Sequence, residues 1–245
     1  MAAVRTGLVV VSHSAKLAEG VVEVAGQMAP EVPLRPAGGT DDGGIGTSFE
    51  LVDAAVTDLL AVDGIDSVVV VTDLGSATMT AESVLEMLEG AVADAVTLAD
   101  GPLVEGAVAA AVSAQGGADR AAVAHAVTEA GATFGAGRTT ASPEPATGAD
   151  EVAQDADALA QDFVLVNEVG LHGRPAATLA RLVTGFDATV TVNGVDGASV
   201  LALMALGLGK GETIHVTASG PQAAEAMDAV ADSVADGFGE GVATN

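Results

Sequence analysis

Gly7-Leu-Val-Val-Val-Ser-His13, followed by Ser14 to Met28 (SAKLAEGVVEVAGQM), is the stretch on which the fold turns. Leu8 to Val11 form a continuous, valine-rich apolar run with no polar alternation, the signature of a strand buried on both faces. Leu17 to Met28 then carries apolar residues at helical spacing. The same grammar repeats downstream. A short strand is predicted near Pro33–Pro36, a glycine-rich loop over Gly38 to Gly46 (GGTDDGGIG) and a helix from Ser48 to Ala61. A strong strand follows over Ser67 to Thr72 (SVVVVT), then a helix from Thr80 to Glu89 and a strand near Ala95–Leu98. Helices over Val104 to Ser113 and Asp119 to Ala130 complete the series. Strand–helix alternation of this kind predicts a doubly wound, mainly parallel sheet covered on both faces, an α/β domain spanning residues 1–134. Ligands in such sheets gather at the carboxyl ends of the strands.

From residue 135 to 161 the periodicity is lost. Pro143 and Pro145 among Ser, Thr, Gly and Asp read as a flexible linker, with a reach of roughly 30 Å as a coil. Asp155 and Asp157 fall there without further oxygen ligands, so no metal site is expected. Residues 162–245 change character. Strands are predicted at Phe163–Asn167, Ala188–Asn193, near Ser199 and at Glu212–Ala218. Helices are predicted at Pro175–Thr184, Leu203–Leu206 and Gln222–Ala235. The order β-α-β-β-α-β-α suggests a smaller α+β open-faced sandwich, an antiparallel sheet with helices on one face.

Composition narrows the function. Among 245 residues, Lys+Arg number 8 and Asp+Glu 34, a formal net charge of −26, with only 2% aromatic residues and no Trp or Tyr. Such a chain has neither the basic patch that neutralises phosphates nor the stacking platforms of single-strand binders, so nucleic-acid and anionic-membrane binding are excluded. There is no cysteine, hence no disulfide, thiolate metal site or Cys nucleophile. No secretory leader or 18-residue apolar run is found, and a cytoplasmic location is expected. Hydrophobic content of 49% is too high for acidic disorder. The acidity reads instead as halophilic, an adaptation to a salty cytoplasm, where charges are screened within about 3 Å near 1 M salt.

Histidine titrates nearest neutrality, and the chain has four. His125 sits mid-helix among alanines, and His215 alternates with Ile214 and Val216 on a solvent face; both read as structural. His13 directly follows the first buried strand, at the ligand-binding end of the sheet. His172 precedes Gly173-Arg174-Pro175, where proline suits a first helical turn and the free amides face whatever the histidine carries. Arg174 adds a forked donor for phosphate oxygens. A neutral imidazole attacks phosphorus without a general base, and the resulting P–N bond is readily passed on.

These residues bring known families into view. Asn167-Glu-Val-Gly-Leu-His-Gly-Arg-Pro-Ala-Ala177 and Ser199-Val-Leu-Ala-Leu-Met-Ala-Leu-Gly-Leu-Gly-Lys-Gly-Glu212 closely resemble HPr, the phosphocarrier of the phosphoenolpyruvate-dependent phosphotransferase system. The resemblance implies that His172 is phosphorylated, with Arg174 and the amide at Gly173 around it; Gly173 stands where the family usually has alanine. Ser199 falls at the family's regulatory serine, but Ala198 replaces the usual basic neighbour, and a plain helix-approach role is the simpler reading.

Residues 4–130 resemble the mannose-type IIA family, in particular the phosphoryl-donor subunits of bacterial-type dihydroxyacetone kinases. The resemblance is carried by Val10-Val-Ser-His-Ser14, Leu17-Ala-Glu-Gly20, Ile45-Gly-Thr47, Asp73-Leu-Gly-Ser-Ala77 and Pro102-Leu-Val-Glu-Gly106. It implies a phosphohistidine at His13 with Asp73 as its carboxylate partner. Gly39, Thr47 and Ser76, on neighbouring loops, are expected to donate to the phosphoryl oxygens. It further implies a relay from enzyme I through His172 and His13 to ADP on a kinase subunit, with no cofactor, no metal, and a homodimer formed through the first domain. A separate HPr is a further candidate donor. No enzyme I-like segment lies within these residues. Two rivals remain. Gly207-Leu-Gly-Lys-Gly-Glu212 faintly resembles a phosphate loop but lacks the Ser/Thr, the glycine spacing and a preceding buried strand. The other is a regulatory module that keeps both folds and transfers nothing.

Overall fold

A computed structural model describes residues 4–136 and 158–240, in two compact units divided between residues 132 and 133. The expected linker, with Asp155 and Asp157, lies for the most part outside the described residues. At its ends, helix α6 (Arg120–Ala136) and strand β5 (Leu159–Val164) reach into the 135–161 stretch.

In the first unit the buried runs become β1 (Thr6–Ser12), β2 (Leu34–Gly38), β3 (Ser67–Thr72) and β4 (Val96–Leu98), all parallel, in the order β2-β1-β3-β4. Val9, Val11, Val68 and Val70 pack on one face with Val52, Val56 and Leu59 of α2 (Phe49–Leu60) and Ala77, Ala81 and Val84 of α3 (Gly75–Met87). Leu8, Val10, Val69 and Val71 alternate with them, and α1 (Ala15–Met28) and α5 (Leu103–Gln115) cover that opposite face. The expected doubly wound sheet is thus formed, with both faces covered. Strand order reverses direction between β1 and β3, so their carboxyl ends flank the crevice where such folds bind ligands.

Two local readings need correction. Helix α3 begins at Gly75, not Thr80. Its N-cap Leu74 offers no side-chain hydrogen bond, so no capping signal marks the start, and Ser76 lies in the first turn. A short helix, α4 (Gly90–Ala95), runs directly into β4 and was too short to show a period. A cleft of about 660 Å³ opens at the opposite, amino end of the strands, lined in part by Arg5, Asp66, Asp94 and Arg120. Arg5 is spent on Asp66 and Arg120 on the Asp94 carbonyl, so neither guanidinium is held out for an anion.

The second unit is the expected antiparallel sheet, ordered β5-β8-β6-β7, with β6 (Thr189–Val192), β7 (Val195–Asp196) and β8 (Thr213–Ser219). Val190, Val192, Ile214, Val216 and Ala218 face inward. There they meet α7 (Gly173–Val183), which buries Leu179 and Val183, and α9 (Ala223–Ala235), which buries Met227 and Val230. The strand expected near Ser199 is instead Val195–Asp196. Asn193 and Gly194 take positive φ of 50° and 82°, which turns the chain back at once. Ser199 then caps α8 (Val200–Ala205), accepting from the Ala202 amide at 3.3 Å. Strand β5 also starts earlier than Phe163, because Leu159 to Asp162 pair with β8 along an exposed edge that shows no apolar alternation.

Candidate functional site

His13 immediately follows β1 and Asp73 immediately follows β3, so the sheet itself brings them together across 60 residues of sequence. The His13 Nδ1 lies 2.9 Å from Asp73 Oδ1. A carboxylate can only accept, so Nδ1 carries the proton and Nε2 keeps its lone pair. Ser76 Oγ stands 2.6 Å from Nε2 and donates to it. The structure thus places Asp73, the carboxylate expected beside His13, at one ring nitrogen and Ser76 at the other.

The Asp73 carboxylate is held on every side. Oδ2 accepts from the His13 amide (2.9 Å) and the Ser12 hydroxyl (2.8 Å), and Oδ1 accepts from the Leu74 amide (2.7 Å) as well as the ring. Burial is the largest single influence on this carboxyl and acts upward. The hydrogen bonds from His13, Ser12 and Leu74 act downward and together outweigh it, so the group titrates below the usual carboxylate range.

The glycine-rich loop clamps the strand end, with the Gly39 amide donating to the Ser12 carbonyl (3.0 Å) and the Gly46 amide to the His13 carbonyl (2.9 Å). The Gly39 donor is thus engaged by the chain. Thr80 donates to the Ser76 carbonyl at 3.1 Å, which leaves Thr47, 2.8 Å from Thr80 Oγ1, as the donor in that pair. Of the three expected phosphoryl donors, only Ser76 lies within hydrogen-bond distance of a His13 ring nitrogen. The Gly39 amide is bonded to the Ser12 carbonyl and Thr47 to Thr80 of α3, so both hold the loop in place.

His172 is the N-cap of α7, exposed, with extended backbone and no side-chain capping bond. Gly173 and Arg174 open the helix, two residues before the expected start at Pro175, and Arg174 is also exposed. The ring therefore lies beside the helix's positive end, where first-turn amides favour an anion. Its loop is held from beneath. Leu171 is buried and its amide donates to the Leu208 carbonyl (2.8 Å); the Gly170 carbonyl accepts from the His172 amide (3.0 Å) and from Asn167 Nδ2 (2.8 Å). Gly170 has φ of +70°, and a Cβ there would drive into the Leu208 carbonyl oxygen.

The other two histidines hold only surface carboxylates, His125 with Glu129 at 3.4 Å and His215 with Asp162 at 2.7 Å across the β5–β8 pair. Among the described residues, no group of three His, Cys, Asp or Glu is placed to hold a metal ion, and no helix is long and apolar enough to cross a membrane. Sequence reasoning missed three supporting residues: Ser12, Asn167 and Gly38. At Gly38 a Cβ would come within 2.6 Å of the Ser14 carbonyl, so only glycine lets α1 start this close to β2. A polar residue ending an otherwise apolar strand was the available signal for Ser12 and Asn167.

Comparison with known proteins accords with this geometry. A family model described as the PTS system fructose IIA component matches residues 7–124, and one described as the PTS HPr component phosphorylation site matches residues 159–236. The phosphoryl donor subunit DhaM of PEP-dependent dihydroxyacetone kinase from Klebsiella michiganensis is 35% identical over 245 residues, covering 95% of this chain and 51% of that protein. Phosphoryl donor subunit DhaM of PEP-dependent dihydroxyacetone kinase 1 from Listeria innocua is 41% identical over 109 residues, covering 44% of this chain and 82% of that protein. A multiphosphoryl transfer protein of Salmonella typhimurium is 38% identical over 92 residues, covering 35% of this chain and 24% of that protein. The chain spans about half the length of the first of these relatives. With a IIA-type unit and an HPr-type unit in one polypeptide, the chain belongs to the family of phosphoryl donor subunits of PEP-dependent dihydroxyacetone kinase.

Proposed function

We propose that this chain is a phosphohistidine relay that takes a phosphoryl group from phosphoenolpyruvate through enzyme I and delivers it to a dihydroxyacetone kinase. In this scheme His172 receives the group first, stabilised by the α7 amides and Arg174. The Nε2 lone pair of His13 then attacks phosphorus as the P–N bond to His172 breaks and its electron pair returns to that imidazole. Asp73 supports the positive charge that develops on the His13 ring. Ser76 swings from Nε2 to a phosphoryl oxygen.

The observation that carries the reading is His13 itself, with Nδ1 tied to Asp73 at 2.9 Å and the opposite nitrogen presented to Ser76 at 2.6 Å. The final acceptor is ADP seated on a partner kinase subunit, where that protein's groups and metal ions meet the charge demands of phosphoryl transfer. The overall activity is that of a phosphoenolpyruvate–glycerone phosphotransferase component. Enzyme I and the kinase subunit are the partners, a separate HPr is an alternative donor to His13, and the first unit is the site of homodimerisation. The chain works in a cytoplasm whose salt its acidity matches.

The test uses radiolabelled phosphoenolpyruvate and purified enzyme I. Label is expected on the full chain, stable toward ADP or dihydroxyacetone alone and discharged once the nucleotide-loaded kinase subunit is added. A chain that never takes up label would be a non-transferring regulatory module. Rapid loss to free ADP would overturn the acceptor assignment.

A further inference from the structure

We propose that Ser12 is a positioning residue for His13: acting through Asp73, its hydroxyl keeps the imidazole in the tautomer that leaves Nε2 unprotonated. The inference rests on the relay for its consequence, but the tautomer can be read on the uncharged protein.

An ionised carboxylate offers about four lone-pair positions, and all four of Asp73 are filled. Three of the donors are the His13 amide, the Leu74 amide and the His13 ring. The two amides are fixed by the backbone, and the ring is the group to be controlled. Ser12 supplies the fourth, the only side-chain donor among the described residues apart from the ring itself.

Ser12 is fully buried at the end of β1, so its hydroxyl is sequestered from bulk water. Its direction is also set, because the Ser14 amide donates to Oγ at 3.1 Å and so favours turning the hydroxyl hydrogen toward Asp73 Oδ2, 2.8 Å away. Ser14 is in turn the N-cap of α1, so the turn bearing His13 is held at both ends.

Without the hydroxyl, Oδ2 keeps only the His13 amide. The carboxylate then gains freedom to rotate, and the bond to Nδ1 weakens. The competing tautomer, with hydrogen on Nε2, has no lone pair there and cannot attack phosphorus. Ser12 is also among the donors that hold Asp73 below the usual carboxylate range, so its loss moves that titration upward.

The experiment compares full-length wild type with Ser12→Ala and Ser12→Cys, the latter keeping most of the volume but donating weakly. Imidazole ¹⁵N shifts of His13 report the tautomer, and transfer from phosphorylated His172 reports function across pH. Wild type is expected to carry the proton on Nδ1. Both variants should show a mixed tautomer, about 10-fold slower loading of His13, and an acid limb of the rate profile displaced to higher pH. Charging of His172 should be unaltered, and Ser12→Thr should restore the Nδ1–H signature. Should Ser12→Ala fail to fold, Ser12→Cys carries the test. Wild-type tautomer and pH profile in the folded variant would overturn the role of Ser12. A wild-type chain that never loads His13 would instead refute the relay while leaving the tautomer result standing.

Discussion

The two histidines sit in opposite kinds of environment. His13 is half-buried, with a ring nitrogen on each side engaged, one by Asp73 and one by Ser76. His172 is exposed at the start of a helix, its surroundings made of backbone amides and an arginine. In the proposed relay, the difference teaches how one side chain can serve two steps. A site that must meet a large donor stays open and relies on a helix end, which needs no side chain to be preset. A site that must deliver its group in a defined direction fixes the tautomer beforehand. In the first unit that fixing comes from strand topology: β1 and β3 are adjacent and parallel, so the residues after them necessarily meet.

The largest effects test the order of the two sites. His172→Ala is expected to abolish labelling of His13 when enzyme I is the only other protein, with recovery on adding separate HPr. His13→Ala should leave His172 fully chargeable and abolish discharge to the kinase. Separate quantitation of the two phosphohistidines by mass spectrometry reads both. Normal labelling of His13 in His172→Ala without HPr would break the proposed order.

Asp73→Asn is the next largest. It preserves shape but turns one of two accepting oxygens into an NH2 group, so either Nδ1–H or the Ser12 and His13-amide donors face another donor, and discharge of His13 should slow about 100-fold, within the range for removing a proton-managing group. Charging of His172 should not change. The Asp73 carboxyl titrates below the usual range when folded, so its support is fully present above the unfolded value near 4 and is lost only as pH falls through the lower folded value. The ratio of wild-type to variant rates should therefore be flat from pH 5 to 8 as far as Asp73 is concerned. A ratio that collapses near neutrality would show that Asp73 is not the ionised partner.

A pair of glycines separates the sites through their backbones. Gly170→Ala forces φ of +70° on a residue with a Cβ directed at the Leu208 carbonyl, and should destabilise the second unit by about 2–4 kcal/mol while leaving the His13 site intact. Gly38→Ala should do the reverse, prising α1 away from β2 and slowing His13 alone. Unit-resolved hydrogen exchange distinguishes them.

How much of this was legible from sequence follows the same division. The parallel sheet could be read because Leu8–Val11 and Val68–Val71 are short, valine-rich apolar runs alternating with helical stretches, a length and composition that favour a strand buried on both faces over a buried helix. His13 could be read from its place directly after the first buried strand, whereas Asp73 and Ser76 came from the family resemblance, since the start of α3 at Gly75 carries no capping signal. Strand β5 was misplaced because an exposed edge strand has no burial pattern to betray it. The engaged donors at Gly39 and Thr47, and the support from Ser12, were illegible for another reason. They depend on which partner each hydrogen bond chooses among several neighbours, and that choice is made only once the loops are closed.

The smallest expected effect concerns what the two sites share. At −26, both units carry many unpaired carboxylates on their surfaces, and dilution from molar salt to about 0.1 M lengthens the screening distance from about 3 Å to about 10 Å. Self-repulsion should then lower the melting temperature of each unit by several degrees, on the order of 1 kcal/mol for domains of this size. The His13–Asp73 pair is shielded by its own hydrogen bonds and should respond little, whereas anion binding beside exposed His172 and Arg174 should weaken as salt rises. Calorimetry from 0.1 to 3 M KCl, with loading rates of each histidine measured alongside, gives both quantities. Melting temperatures that hold steady or rise on dilution would mean that the acidity serves something other than life in salt. Equal salt dependence of the two loading steps would mean that the half-buried and the open histidine are electrostatically alike, which the distances around His13 argue against.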